Sequence, residues 1–153
     1  MFIPELEKQP RNLFFIRPRR FGKSTFLSML HSYYDCNQSA KFQSLFGNLW
    51  IGQHPTELQG KYQVLFLDFS QVSGNIDSLE RNFDFYCSVK LDGFMRRYGE
   101  AYSEETREKV RKAEYAMDKL AFIHDEAAQK GFDAIRKILF DSDGNRRTYE
   151  LVG

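Results

Sequence analysis

Residues 13–34 read LFFIRPRRFGKSTFLSMLHSYY. Leu13 to Ile16 is a short continuous apolar run, the pattern of a strand buried on both faces. Pro18 and Gly22 interrupt it, because proline has no amide donor and glycine tolerates unusual dihedrals. From Lys23 the period becomes helical, and Phe26, Leu27, Leu30 and Tyr34 set one apolar stripe toward a core. A strand, a loop and a helix in direct succession bring main-chain amides to one point, which suits an anion.

The loop itself supports that reading. Gly22-Lys23-Ser24 ends the phosphate-binding pattern G-x-x-x-x-G-K-[ST]. Polyphosphate oxygens need donors at close range, and Gly22 lets the backbone approach without a side chain in the way. Amides from about Arg20 to Ser24 would point inward as the helix begins, reinforced by its dipole. Lys23 would set its ammonium between β- and γ-phosphates, and Ser24 would offer its hydroxyl to magnesium. Thr25 faces the α-phosphate side or continues the helix. The first glycine of the pattern is missing: position 17 is arginine, and Pro18 presets part of the turn instead. Arg17, Arg19, Arg20 and Lys23 put four cations in seven residues, an ordinary surface run unless it surrounds a helix N-terminus.

Outward from this stretch, Phe42, Leu45 and Phe46 suggest one short helical turn, and Gly47, Gly52, Pro55 and Gly60 mark loops. Tyr62 to Phe69 (YQVLFLDF) reads as a second buried strand. The intervening helix is long enough for a crossover, so the two strands are expected to be parallel. Asp77 is the expected N-cap of a helix to about Tyr98, with Leu79, Phe83, Tyr86, Lys90 and Phe94 on one face. A further helix is expected from Ser103 to a stop at Gly131, with Val110, Ala113, Met117, Leu120, Ile123 and Ala127 as its stripe. The expected architecture is therefore α/β: a P-loop NTPase-like parallel-sheet core flanked by helices. Residues 1–153 are read as a single, incomplete domain, with 132–153 left unassigned.

Formal net charge is +1, from 22 basic and 21 acidic side chains, which excludes a whole-domain electrostatic grip on nucleic acid or anionic lipid. Cys36 and Cys87 match no metal or redox spacing and read as reduced cysteines. No run approaches the ~18 apolar residues of a membrane span. Pro4, Glu5 and Glu7 stand where a signal peptide needs an apolar stretch, so the expected location is the cytoplasm.

The loop RPRRFGKST at Arg17–Thr25 resembles that of the bacterial and archaeal AAA-ATPase-like family, which carries Arg-Pro-Arg-Arg-Phe-Gly-Lys-Ser in place of a standard Walker A. LSMLHSYYD (27–35), FLDFSQV (66–72) and LERNFDFYC (79–87) add to the resemblance, which runs from about residue 11 to 98 and more thinly to Gly131. The resemblance implies a P-loop fold and ATP with Mg2+ as ligands. Arg17, Pro18, Arg19, Arg20, Phe21, Gly22, Lys23, Ser24 and Thr25 would then line the nucleotide site, with Ser24 on the metal. Members often carry a downstream nuclease-like domain, and nothing here matches one. Their Walker B strand typically ends in Asp-Glu-Tyr-Asp, of which Ile138–Asp141 (ILFD) is a faint echo. The chain thus resembles an N-terminal portion, expected to bind ATP and to hydrolyse it only where the missing parts are supplied.

Asp68, at the end of VLFLD, is a weak catalytic or magnesium candidate beside the plainer reading of a strand-end aspartate. DSDGN (141–145) lacks the glycine and glutamate of a calcium loop, since Arg146 and Val152 occupy those positions. His31, His54 and His124 share no ligand spacing, and Tyr33 and Tyr34 read as helix packing. Two other functions stay open. One is a nucleic-acid-binding module using Arg17, Arg19, Arg20 and Lys23. The other is a non-catalytic remnant making protein contacts.

Overall fold

The computed structural model describes residues 2–9, 12–16, 22–130 and 137–141, the two strands by their backbone. Its elements run α1 (Ile3–Glu7), β1 (Asn12–Ile16), α2 (Lys23–Tyr34), α3 (Phe42–Phe46), α4 (Trp50–Gln53), α5 (Ile76–Tyr98), α6 (Glu104–Lys112), α7 (Ala116–Gln129) and β2 (Lys137–Asp141). They fall into two compact units, residues 1–62 with 134–153, and residues 63–133.

In the first unit the core is aromatic. Tyr33 is fully buried, and its ring meets those of Tyr34, Phe42 and Phe46 edge-on at 5.1, 5.9 and 5.5 Å. Such contacts add about 0.5–1.5 kcal/mol each beyond area burial. Ile3 and Leu6 of α1 are buried, and Phe2 meets Phe26 of α2 at 5.0 Å. The α3–α4 turn depends on Gly52, since a Cβ there would lie 1.8 Å from the Phe46 carbonyl oxygen. One buried chain of hydrogen bonds pins α1 to the rest. The Thr56 hydroxyl donates to Glu7 Oε1 at 2.7 Å, so the Tyr33 hydroxyl must donate to Thr56 Oγ1 (3.0 Å) while accepting from the Thr56 amide (2.8 Å). The Tyr34 hydroxyl also donates to Glu7 Oε1.

The second unit is helical. Leu91, Phe94 and Tyr98 of α5 pack with Tyr102, Val110 of α6, and Ala116 and Ile123 of α7. The α5 N-cap is Asn75, whose side chain accepts from the Ser78 amide; Asp77 lies in the first turn instead. Both positions suit a carboxylate or amide near the helix dipole's positive end, so sequence alone does not separate them. The helix expected over 103–131 is two helices, broken where Ala113 turns extended (ψ 133°). Asp84 of α5 accepts from the Ala116 amide at 2.9 Å, satisfying the N-terminus that the break creates. The break also shifts the buried phase: Ala116, Lys119, Ile123 and Glu126 turn inward, while Met117 and Leu120 of the expected stripe are exposed.

The parallel-sheet α/β core expected from sequence is not what the chain forms. The described residues are predominantly helical, and strand pairing among them is one short pair, β1 with β2, parallel, in the register Asn12↔Lys137 to Ile16↔Asp141. Tyr62 makes a single bridge to Asp35, and residues 63–68 form no strand. Among the described residues no strand pairs with this segment. Every regular element of the second unit is helical, and the amides of Val64 and Asp68 donate instead to the hydroxyls of Tyr98 (3.1 Å) and Tyr86 (2.7 Å) on α5. An apolar β-prone run becomes a strand only with a ladder to join.

Candidate functional site

Of the expected nucleotide contacts, Arg17, Pro18, Arg19, Arg20 and Phe21 lie outside the described residues, and Gly22, Lys23, Ser24 and Thr25 lie within them. Gly22 is the N-cap of α2 with φ 70° and ψ 24°, a left-handed conformation that glycine adopts without penalty. Chain neighbours and the helix's own backbone aside, a Cβ added there would meet nothing within 4 Å among the described residues. The first helical hydrogen bond runs from the Phe26 amide to the Gly22 carbonyl at 2.9 Å, and among the described residues no side chain caps the helix. Lys23 is half-buried, and Ser24 and Thr25 are exposed.

The strand register brings Asp141, the last residue of β2, level with Ile16, the last residue of β1 before the loop. The faint aspartate echo at Ile138–Asp141 therefore stands at the strand end that feeds the phosphate loop. The rest of the DSDGN turn, from residue 142 onward, lies outside the described residues.

Asp68 belongs to the second unit. Its Oδ1 accepts from the Ser70 amide at 3.1 Å and from the Ser70 hydroxyl at 2.6 Å, capping the 3-10 turn at Phe69–Gln71. Asp68 thus organises a turn, and no strand ends there. Among the described residues no three His, Cys, Asp or Glu side chains gather as a metal site. Magnesium at a phosphate loop draws its ligands largely from the ligand's own oxygens and water, plus one or two protein oxygens, so it needs no such cluster.

One buried pair was not anticipated. Asp35 is fully buried at the C-terminus of α2; its Oδ1 accepts from the Asn37 amide at 2.9 Å, and its Oδ2 lies 3.1 Å from His31 Nε2. The i,i+4 spacing of His31 and Asp35 on one helix face was the available signal. Tyr33 and Tyr34 are buried, as packing residues should be. Two hollows of about 390 Å³ each lie along α6 and α7, and both are lined by Glu105, Lys109 and Phe122. Among their charged side chains Glu105 pairs with Lys109 at 2.7 Å, and of the described expected contacts, Gly22 to Thr25, none lines them.

No helix among the described residues is long and apolar enough to cross a membrane. Comparison with known proteins yields one family: the model of the AAA-ATPase-like family, described as predicted AAA-ATPase, matches residues 1–138. No significant match was found among curated proteins or among solved structures. With nine-tenths of its length matched by the family model, the chain belongs to the AAA-ATPase-like family.

Proposed function

We propose that this chain binds ATP with magnesium at the N-terminus of α2. The observation that carries the reading is the conformation of Gly22. It holds a left-handed turn at the helix start, and among the described residues nothing beyond its chain neighbours and the helix's own backbone comes within 4 Å of where a side chain would stand. A phosphate approaches such a turn more closely than any other backbone position allows.

In this reading the amides of the first turn bind the phosphate oxygens, and the Lys23 ammonium adds a charge-assisted bond worth about 1.5–3 kcal/mol. Ser24 would offer its hydroxyl to the magnesium ion, which neutralises charge on the triphosphate. The family membership favours a nucleotide over other anions. Hydrolysis needs a positioned water and further charge stabilisation in the transition state, and no residue is assigned those tasks here.

The test is calorimetry with Mg-ATP, repeated at rising salt. Saturable one-site binding that tolerates salt supports the reading. Affinity for single- or double-stranded nucleic acid that falls steeply with salt, without ATP binding, replaces it with the nucleic-acid module. Absence of both leaves the protein-contact remnant.

A further inference from the structure

The five residues of α1 are too few for a helix that stands alone, since isolated helices shorter than about 12–15 residues are marginal in water. α1 is therefore helical because it is docked. Ile3 and Leu6 are buried, and both ends of the segment meet the same neighbour. At one end the Phe2 ring stands edge-on to that of Phe26 at 5.0 Å. At the other, Glu7 Oε1 accepts from the Tyr34 hydroxyl at 3.0 Å. Phe26 lies in the first turn of α2 and Tyr34 is its last residue, about 12 Å apart along the axis. α1 thus touches α2 near its head and at its tail.

The stripe it touches also carries Lys23. Lys23, Phe26, Leu30 and Tyr34 follow one another at steps of three and four residues, which sets them on one face of the helix. Phe26 also closes the helix start, because its amide makes the bond to the Gly22 carbonyl. The first turn is the least held part of any helix, since its amides have no partners within the helix. The Phe2–Phe26 contact steadies that turn from the side. Glu7 fixes the far end by more than one bond. The oxygen that receives the Tyr34 hydroxyl also accepts from the Thr56 hydroxyl at 2.7 Å, and Thr56 is bonded in turn to the hydroxyl of the fully buried Tyr33. One carboxylate oxygen pins the segment to the aromatic core.

We infer that α1 is a strap that sets the affinity of the phosphate site. Docked, it holds the first turn of α2 in the form that binds; undocked, it unfolds and lets that turn fray. The inference rests on the reading of the α2 N-terminus as the ATP site and adds the regulation of that site. Docking and binding are then linked, each strengthening the other by the same factor, and the linkage needs no contact between α1 and the nucleotide. Its size is bounded by the contact that transmits it, and an edge-on aromatic pair corresponds to about two- to tenfold. Whatever draws Glu7 away from Tyr34 and Thr56 lowers the occupancy of the site without blocking it.

Hydrogen exchange on the unmodified chain reads one side of the linkage. The Leu6 amide donates to the Phe2 carbonyl at 2.9 Å, so it exchanges when α1 opens. It is expected to exchange about two- to tenfold more slowly at saturating Mg-ATP, with the Lys119 amide of the second unit unchanged as the control. Calorimetry with Mg-ATP reads the other side. Phe2→Ala, Glu7→Ala and Tyr34→Phe should each bind about two- to tenfold more weakly, while Glu7→Gln, which keeps an acceptor oxygen, should bind as the parent does. Tighter binding in both Glu7 variants would mean that the carboxylate acts on ATP by its charge alone, and it overturns the inference. Phe2 is 43% exposed, so Phe2→Ala remains informative where Glu7→Ala fails to fold. A parent chain that binds no ATP overturns the site reading and the strap together. ATP binding that leaves Leu6 exchange unchanged, that slows Lys119 equally, or that Phe2→Ala and Tyr34→Phe retain at parent affinity overturns the strap alone.

Discussion

The hydroxyl of Tyr98 lies 3.1 Å from the amide nitrogen of Val64 and accepts its hydrogen bond across thirty-four residues of sequence. The same hydroxyl-to-backbone arrangement recurs at Tyr86 and Asp68, at 2.7 Å. Two phenols on one helix thus take the place of a neighbouring strand. Tyr98→Phe and Tyr86→Phe each leave a partly buried amide unsatisfied, which costs about 1–3 kcal/mol. Urea denaturation should show each variant less stable by that amount, with Leu65 loosened from the core it packs against. Variants as stable as the parent would mean that water replaces the phenol without cost.

Glu126 of α7 is a buried carboxylate that meets the start of α6. It accepts from the Ser103 amide at 2.8 Å and the Ser103 hydroxyl at 2.9 Å, and it pairs with Lys130. The Lys130 ammonium first, and then hydrogen bonds from Thr106 and Ser103, hold its pKa down at about 2 against the opposing pull of burial. A carboxyl whose folded pKa is depressed stabilises the fold above its ordinary value, and that stability drains away as pH falls toward the folded value. The unit should therefore lose stability from about pH 4.5 down to about 2. Glu126→Gln should be less stable at neutral pH and flatter across that window, as read from urea midpoints at several pH values.

Lys119 is 7% exposed and its ammonium meets Asp92, itself 44% exposed, at 2.7 Å. Removing the acid strands a buried charge, whereas replacing the base with an apolar side chain of similar length does not. Asp92→Ala should therefore cost more than Lys119→Met. Because Asp92 is half in water, the difference is expected at about 1–2 kcal/mol, below the figure for a fully buried pair. Thermal denaturation of the two variants side by side measures it, and the reverse order would show that Lys119 reaches water after all.

How much of this was legible in the sequence varies with how local the cause is. The α2 boundary was legible, since the apolar stripe from Phe26 to Tyr34 and the glycine at its head are written within one turn of each other. The Ser103 cap was legible for the same reason. The break at Ala113 was not, because its cap, Asp84, comes from another helix thirty-two residues away. The fate of Gln63–Asp68 was misread on similar grounds. Its composition is that of a strand, but whether a ladder forms depends on a neighbour that local pattern does not encode. At the site, the Gly-Lys-Ser triplet declared itself, while the level placement of Asp141 with Ile16 is a property of strand register and emerges only in three dimensions.

The phosphate site offers a test that separates backbone strain from ligand clash. Gly22 holds φ 70°, where an alanine costs about 1–2 kcal/mol. Among the described residues, chain neighbours and the helix's own backbone aside, no atom lies within 4 Å of the added methyl, so Gly22→Ala should fold with α2 intact and lose no more than that in stability. If a phosphate occupies the space instead, the methyl intrudes on it, and Mg-ATP affinity should fall by well over the tenfold that about 1.4 kcal/mol represents. Lys23→Ala removes a charge-assisted bond and should weaken binding by about ten- to a hundredfold with little change in stability. Calorimetry on both variants, with and without magnesium, reads all of this at once. Affinity in Gly22→Ala that tracks its stability loss and nothing more would mean that the turn is an ordinary helix start and that ATP, if bound, sits elsewhere.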